Sequence, residues 1–179
     1  MSNGVENWEE VSREEMFKKY GRGIEKRTFR LPHGKEADFY LNSGHPSIAC
    51  LALTKDKQVI LVKQFRPGPG KILLELPGGG FQNTETPEQA MERELLEETG
   101  YQGKVQFVTS ILPSAYSTYV KNALVATECE KIGEPVLEDN GEKVETVLMS
   151  LDEFRQHIRT GQMTDVEISY LCLDHLGLL

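Results

Sequence analysis

The apolar positions fall into short runs separated by turn residues. Residues 24–31 (IEKRTFRL) and 36–42 (EADFYLN) read as strands, joined by a turn at Pro32-His33-Gly34. Residues 47–53 (SIACLAL) and 59–65 (VILVKQF) read as a hairpin across Thr54–Lys57. Arg66-Pro67-Gly68-Pro69-Gly70 then breaks the pattern and predicts a loop. Strand-like 71–76 (KILLEL) runs into Pro77-Gly78-Gly79-Gly80, and further strands are predicted at 104–111, 120–128 and 144–149.

Four segments carry helix signals. Ser12 with Glu15 spells a capping box, and Gly21 a stop, for a short helix over 12–20. Thr86 as N-cap, Pro87 at the first helical position, Gln89 three residues past the cap and Gly100 beyond the end predict a helix from Pro87 to about Glu98. Two C-terminal helices are each opened by a capping box, Ser150 with Glu153 and Thr164 with Glu167. Strands with one helix among them and helices at the end indicate an α+β domain. Residues 1–44 are expected to form an N-terminal arm of one helix and strands, and 45–179 the main domain.

Composition narrows the field. The 179 residues, 39% of them hydrophobic and 27% charged, suffice for a buried core without disulfides. Twenty basic against 28 acidic side chains give a net charge of −8, which repels polyphosphate backbones and argues against nucleic-acid binding. No apolar run approaches the ~18 residues of a membrane span. Cys50, Cys129 and Cys172 are far apart without a CxxC, and Cys50 and Cys172 read as small buried hydrophobes. The polar, acidic start MSNGVENWEE is neither a secretory nor a transit signal, so a cytoplasmic location is expected.

The chemistry concentrates in Gly79–Tyr101, GGFQNTETPEQAMERELLEETGY. Six glutamates, Glu85, Glu88, Glu92, Glu94, Glu97 and Glu98, surround one internal base, Arg93. On a helix Glu94, Glu97 and Glu98 share a face, where like charges repel by a few tenths of a kcal/mol per pair. A divalent cation would neutralise them, and hard oxygen ligands suit Mg²⁺ or Mn²⁺. The bland alternative is a solvated acidic helix face. The glycine loop ahead of the helix favours a site, because backbone without Cβ atoms can approach a metal or phosphate closely.

This stretch resembles the Nudix box, G-x5-E-x7-R-E-U-x-E-E-x-G-U, where U is a bulky aliphatic. Gly79, Glu85, Arg93, Glu94, Leu95, Glu97, Glu98 and Gly100 match in register, and only Tyr101 departs, keeping a large apolar body. The resemblance implies a Nudix-type α/β/α sandwich around a mixed sheet. It implies that Glu94, Glu98 and often Glu97 ligate Mg²⁺, with the Gly78 carbonyl as a further ligand. Glu85 and Arg93 would orient the loop and the acids. The implied reaction is hydrolysis of a nucleoside diphosphate linked to another group.

Flanking segments resemble the ADP-ribose pyrophosphatases and related nucleotide-sugar hydrolases. QFRPGPGKILLELPGGG (64–80) points to Arg66 as a substrate contact; Glu75 either faces the site or pairs with a lysine. Pro113 lies 12 residues past the box, near the distance typical of ADP-ribose hydrolysing members, although the loop 113–118 lacks the Pro-Gly that often follows in them; Tyr116 or Tyr119 is a candidate to line the site. Relatives carry a general base on a loop before the last strand. The corresponding residues are 138–143, with Glu142 the leading candidate and Glu138 and Asp139 behind it; Asn140 occupies a position that can be glutamate in relatives. The N-terminal strands resemble a dimerising arm, with Trp8, Phe29 and Phe39 as candidates to face an adenine, so a homodimer is expected. The favoured activity is hydrolysis of ADP-ribose to AMP and ribose 5-phosphate. Another nucleotide sugar such as GDP-mannose, damaged nucleoside triphosphates, RNA cap removal and a noncatalytic ligand sensor are the competing readings.

Overall fold

The computed structural model describes residues 4–82, 84–136 and 143–179. These residues form two compact units, one of residues 1–46 and 112–120, the other of residues 47–111 and 121–179.

The first unit is a three-stranded antiparallel sheet in the order β1 (Glu9–Lys19), β2 (Arg22–Arg30), β3 (Glu36–Gly44). The helix expected over 12–20 is instead β1. Tyr20 (φ 51°) and Gly21 (φ 71°) form a two-residue turn with both residues left-handed, so Gly21 reverses a hairpin and does not stop a helix. Pairing with β2 supplies partners that a lone helix would lack. Ser12 donates to Thr28 at 3.0 Å, and Arg30 bonds Glu9 at 2.7 Å. Every residue of β1 is exposed, whereas Trp8, Phe29 and Phe39 pack together with centroids 5.4–6.2 Å apart. Residues 112–120 belong to this unit: the Asn42 amide donates to the Tyr116 carbonyl at 2.8 Å, and the Asn42 carbonyl accepts from the Thr118 amide at 3.0 Å.

The second unit is built on β4 (Ser47–Thr54), β5 (Val59–Arg66), β6 (Lys71–Glu75), β7 (Gly78–Gly80), β8 (Tyr101–Ile111), β9 (Lys121–Lys131) and β10 (Glu145–Met149). The order is β10-β5-β4-β9-β8, with β6 on β5 and β7 on β4. β4 and β9 are parallel and the other pairs antiparallel, so the sheet is mixed. The residues 78–80 expected in a loop thus pair as a short strand with Ser47–Ala49.

Among the described residues three helices cover the sheet: α1 (Pro87–Thr99), α2 (Leu151–Arg159) and α3 (Val166–His175). Strand alternation divides the core. Leu51, Leu53, Val59, Leu61 and Val125 pack with Phe154, Ile158, Ile168 and Leu173 of α2 and α3. Cys50, Ala52, Ile60, Leu124 and Ala126 pack with Ala90, Met91 and Leu95 of α1. Helices on opposite faces of a mixed sheet give the expected α/β/α sandwich. Tyr101 joins the α1 cluster at 9% exposure, doing the apolar work of the aliphatic it replaces. All three cysteines are buried and free.

Candidate active site

The start of α1 forms as its sequence spells. Thr86 accepts from the Gln89 amide at 3.3 Å, the Gln89 side chain accepts from the Thr86 amide at 2.9 Å, and Pro87 occupies the first turn. Gly100 closes the helix at φ 72°, a conformation that glycine adopts without strain. Ala90, Met91 and Leu95 anchor the helix to the sheet. The opposite stripe therefore presents Arg93, Glu94, Glu97 and Glu98 on a fixed support.

Arg93 is the brace. Its Nε donates to Glu85 at 2.9 Å, Nη1 to Glu94 at 2.9 Å and Glu97 at 3.0 Å, and Nη2 to the Gly80 carbonyl at 2.9 Å. A planar fork with five donors can tie the glycine loop, the loop acid and two helix acids at once; a lysine could not. Arg93 and the Gln82 amide hold the Glu85 carboxyl below its ordinary range. β7 lies against the helix carboxylates. The Gly78 amide donates to Glu98 at 2.9 Å. A Cβ at Gly78 would strike the Ile48 carbonyl, so glycine is required there, and one at Gly79 would displace the Glu94 carboxylate.

Burial raises the proton affinity of Glu94 against the opposing pull of Arg93. Glu98 is pushed up to about 7, chiefly by burial, opposed by the Gly78 amide and increased by the charge of Glu94. Two half-buried hard-oxygen donors with unfavourable mutual charge fit a divalent cation. Among the described residues no three acidic, histidine or cysteine side chains already converge as a metal cage. Glu97 is held by Arg93, so completing a cage requires a side chain to turn.

Arg66 ends β5 and is about one-third exposed. Its Nε bonds Glu75, which is 1% exposed on β6. Glu75 pairs with this arginine and not with a lysine, and its other oxygen accepts from the Thr164 hydroxyl. Thr164 therefore does not cap α3. The N-cap is Asp165, left-handed at φ 57° and making no side-chain cap bond; its carboxylate pairs with Lys121. A cap is worth about 1 kcal/mol, whereas an unsatisfied buried charge costs more, so the demand of Glu75 prevails. Lone Thr-x-x-Glu spacing cannot reveal this; the available signal was a glutamate inside the apolar run KILLEL.

The other expected site residues are distributed as follows. Pro113 and Tyr116 lie in the first unit, half-buried and 54% exposed respectively. Glu138, Asp139, Asn140 and Glu142 lie outside the described residues. The residues flanking that segment are tied to the end of α1: the Val136 amide donates to the Glu97 carbonyl at 2.8 Å, and the Thr146 hydroxyl to the Thr99 carbonyl at 3.5 Å. Gln64, which sequence reading passed over, is 7% exposed on β5, and its Nε2 finds no acceptor among the described residues.

A mixed sheet between helices, with a braced acidic helix under a glycine strand, defines a class. The pattern of the NUDIX domain matches residues 44–169, and the chain belongs to the Nudix family and is a hydrolase of it. It is 26% identical to the ADP-ribose pyrophosphatase of Bacillus subtilis (strain 168) over 162 residues, 89% of this chain and 88% of the relative. It is 60% identical to the ADP-sugar pyrophosphatase of Mus musculus over 47 residues, 26% of this chain and 22% of that one. A solved ADP compounds hydrolase shares the fold with a TM-score of 0.80 and 16% identity, over 99% of this chain and 100% of that one. Among the described residues no helix is long and apolar enough to cross a membrane.

Proposed function

We propose that the protein hydrolyses the pyrophosphate bond of ADP-ribose, giving AMP and ribose 5-phosphate, with Mg²⁺ as cofactor and Mn²⁺ as a substitute. The observation that carries this reading is the pair of half-buried carboxylates Glu94 and Glu98 against Gly78–Gly79, braced by Arg93. Likeness to an ADP-ribose pyrophosphatase along 89% of the chain supports ADP-ribose as the substrate.

Glu94, Glu98 and Glu97 would hold the cation, with the Gly78 carbonyl beside them. A bound Mg²⁺ would neutralise charge on the diphosphate and lower the pKa of water. Arg93 holds the acids in register, and Arg66 binds the substrate phosphates through its free donors. Glu142 is assigned as the general base; the anchoring of both flanks of its segment at the end of α1 supports that assignment. Pro113 and Tyr116 are assigned to the sugar or base side. The unpartnered exposure of β1, with Val11, Met16 and Phe17 all more than 40% exposed, supports a homodimer formed through the N-terminal sheet. Trp8, Phe29 and Phe39 supply its aromatic surface.

The test is product analysis with Mg²⁺ on ADP-ribose, ADP-glucose, GDP-mannose and 8-oxo-dGTP, beside Glu98→Gln. AMP release from ADP-ribose, lost in the variant, is the expected result. The local 60% identity to an ADP-sugar pyrophosphatase favours a second reading in which other ADP-sugars are turned over as well; faster cleavage of ADP-glucose would select it. Binding of ADP-ribose without turnover of any compound would leave a ligand sensor.

A further inference from the structure

Two residues with good capping chemistry stand at the start of α3, and neither caps it. The Thr164 hydroxyl lies against Glu75 Oε1 and, at 3.3 Å, near Asp165 Oδ2. Asp165 pairs with Lys121 of β9 and holds a left-handed backbone, which aspartate adopts more readily than most non-glycine residues, so its side chain is turned from the helix end. Breaking a local rule at two adjacent positions points to a demand from elsewhere. At Asp165 that demand is Lys121; at Thr164 it is Glu75, a carboxylate 1% exposed whose two oxygens are divided between Thr164 and Arg66. Only Nε of Arg66 is engaged among the described residues, leaving both Nη groups for an anion.

We infer that Thr164 is a positioning residue for substrate binding: its hydroxyl locks the Glu75 carboxylate, which in turn fixes the Arg66 guanidinium with its free edge toward a nucleoside diphosphate. The Lys121–Asp165 pair holds the α3 end of this relay in place. The inference rests on the reading of Arg66 as a phosphate contact. A carboxylate oxygen fixed on one side by a hydroxyl accepts from the arginine in one geometry. Without that hydroxyl, Glu75 can rotate about its last torsion and Arg66 loses its orientation, because among the described residues its guanidinium has no other hydrogen-bond tether.

The experiment is a double-mutant cycle on the full chain. Wild type, Thr164→Val, Thr164→Ser, Arg66→Ala and the Thr164→Val/Arg66→Ala double variant are compared for KM and kcat with ADP-ribose. Binding of ADP is measured by calorimetry on the same proteins, which reads anion capture without turnover. Thr164→Val is expected to raise KM and the Kd for ADP about tenfold, with kcat changed less than twofold. Thr164→Ser, which keeps the hydroxyl, should restore both values. In the Arg66→Ala background Thr164→Val should have no further effect. Equal effects in both backgrounds, or failure of serine to rescue, would overturn the relay. An Arg66→Ala variant that binds ADP like wild type would overturn it as well. A wild type that binds ADP yet cleaves no ADP-ribose would refute the proposed activity alone, since the ADP cycle still reads the coupling. If valine prevents folding, Thr164→Ala takes its place in the cycle, and thermal unfolding checks that each variant compared is folded.

Discussion

Helices α1 and α3 begin with the same written signal, a threonine followed three residues later by Gln or Glu, and the structure treats them differently. At α1 both reciprocal bonds form, Thr86 with the Gln89 amide and Gln89 with the Thr86 amide. At α3 neither forms; the threonine serves Glu75 and the N-cap is a left-handed aspartate. The difference lies in what surrounds each threonine. Thr86 faces solvent with nothing to satisfy except its own helix. Thr164 faces a buried carboxylate, and the cost of leaving that charge short of a donor exceeds the ~1 kcal/mol of a cap. A capping signal is therefore a statement about local competition, and it is reliable only where no buried charge competes.

The sharpest way to break the comparison is at the carboxylates α1 exists to present. Replacing Glu98 with Gln should lower kcat for ADP-ribose by about 10³-fold while leaving α1 folded, because charge stabilisation of the reacting diphosphate is the largest single contribution at such sites. Glu142→Gln should lower kcat by about 10²-fold or more with KM nearly constant, as loss of a general base does. Steady-state kinetics on both variants check this. Wild-type kcat in Glu142→Gln beside an inactive Glu98→Gln would remove the base from this segment and leave the acidic helix as the catalytic core.

Legibility followed the range of the interactions. The helix 87–99, its caps and the box acids lie within 23 consecutive residues, so spacing alone placed them on one face. The tie of Glu85 and the Gly80 carbonyl to Arg93 is also short-range. Thr164 and Glu75 are 89 residues apart, and no periodicity reports such a pair. The strand over 9–19 was hidden for a related reason: Ser12 and Glu15 read as a helix start, but pairing with Arg22–Arg30 decided the outcome. Gln64 looks like an ordinary strand position, and only burial of its Nε2 with no acceptor among the described residues distinguishes it.

The site also has a cost to the fold. The Glu98 carboxyl is pushed up to about 7 from an ordinary value of 4.5, mainly by burial. The folded state therefore binds that proton more tightly than the unfolded chain. Stability from this group is fully present below about 4.5 and is lost as pH rises through about 7. At 1.4 kcal/mol per pH unit, metal-free protein should lose about 3 kcal/mol across this window. Denaturant unfolding with EDTA between pH 4.5 and 8 checks it. Glu98→Gln should flatten this part of the pH profile, and Mg²⁺ should restore stability most strongly above pH 7, where the carboxylate is ionised. A profile unchanged by Glu98→Gln would assign the slope to other groups.

The smallest expected effects sharpen the comparison most. Thr86→Ala removes a cap that serves only its helix; it should cost about 1 kcal/mol and lower Tm by about 2–4 °C, with KM for ADP-ribose unchanged. Ser150→Ala, at the other formed capping box, should behave alike, since Ser150 bonds the Glu153 amide at 3.3 Å and α2 carries no box acid. Thr164→Ala should lower Tm by a similar amount yet raise KM, because the hydroxyl it removes serves a buried carboxylate bonded to Arg66. Measuring Tm and KM on the three variants separates the two kinds of threonine or serine. If all three lower Tm and leave KM alike, Thr164 is an ordinary structural residue. If Thr86→Ala raises KM as much as Thr164→Ala, then the start of α1 is coupled to substrate after all, and local capping and function are no longer separable at that helix.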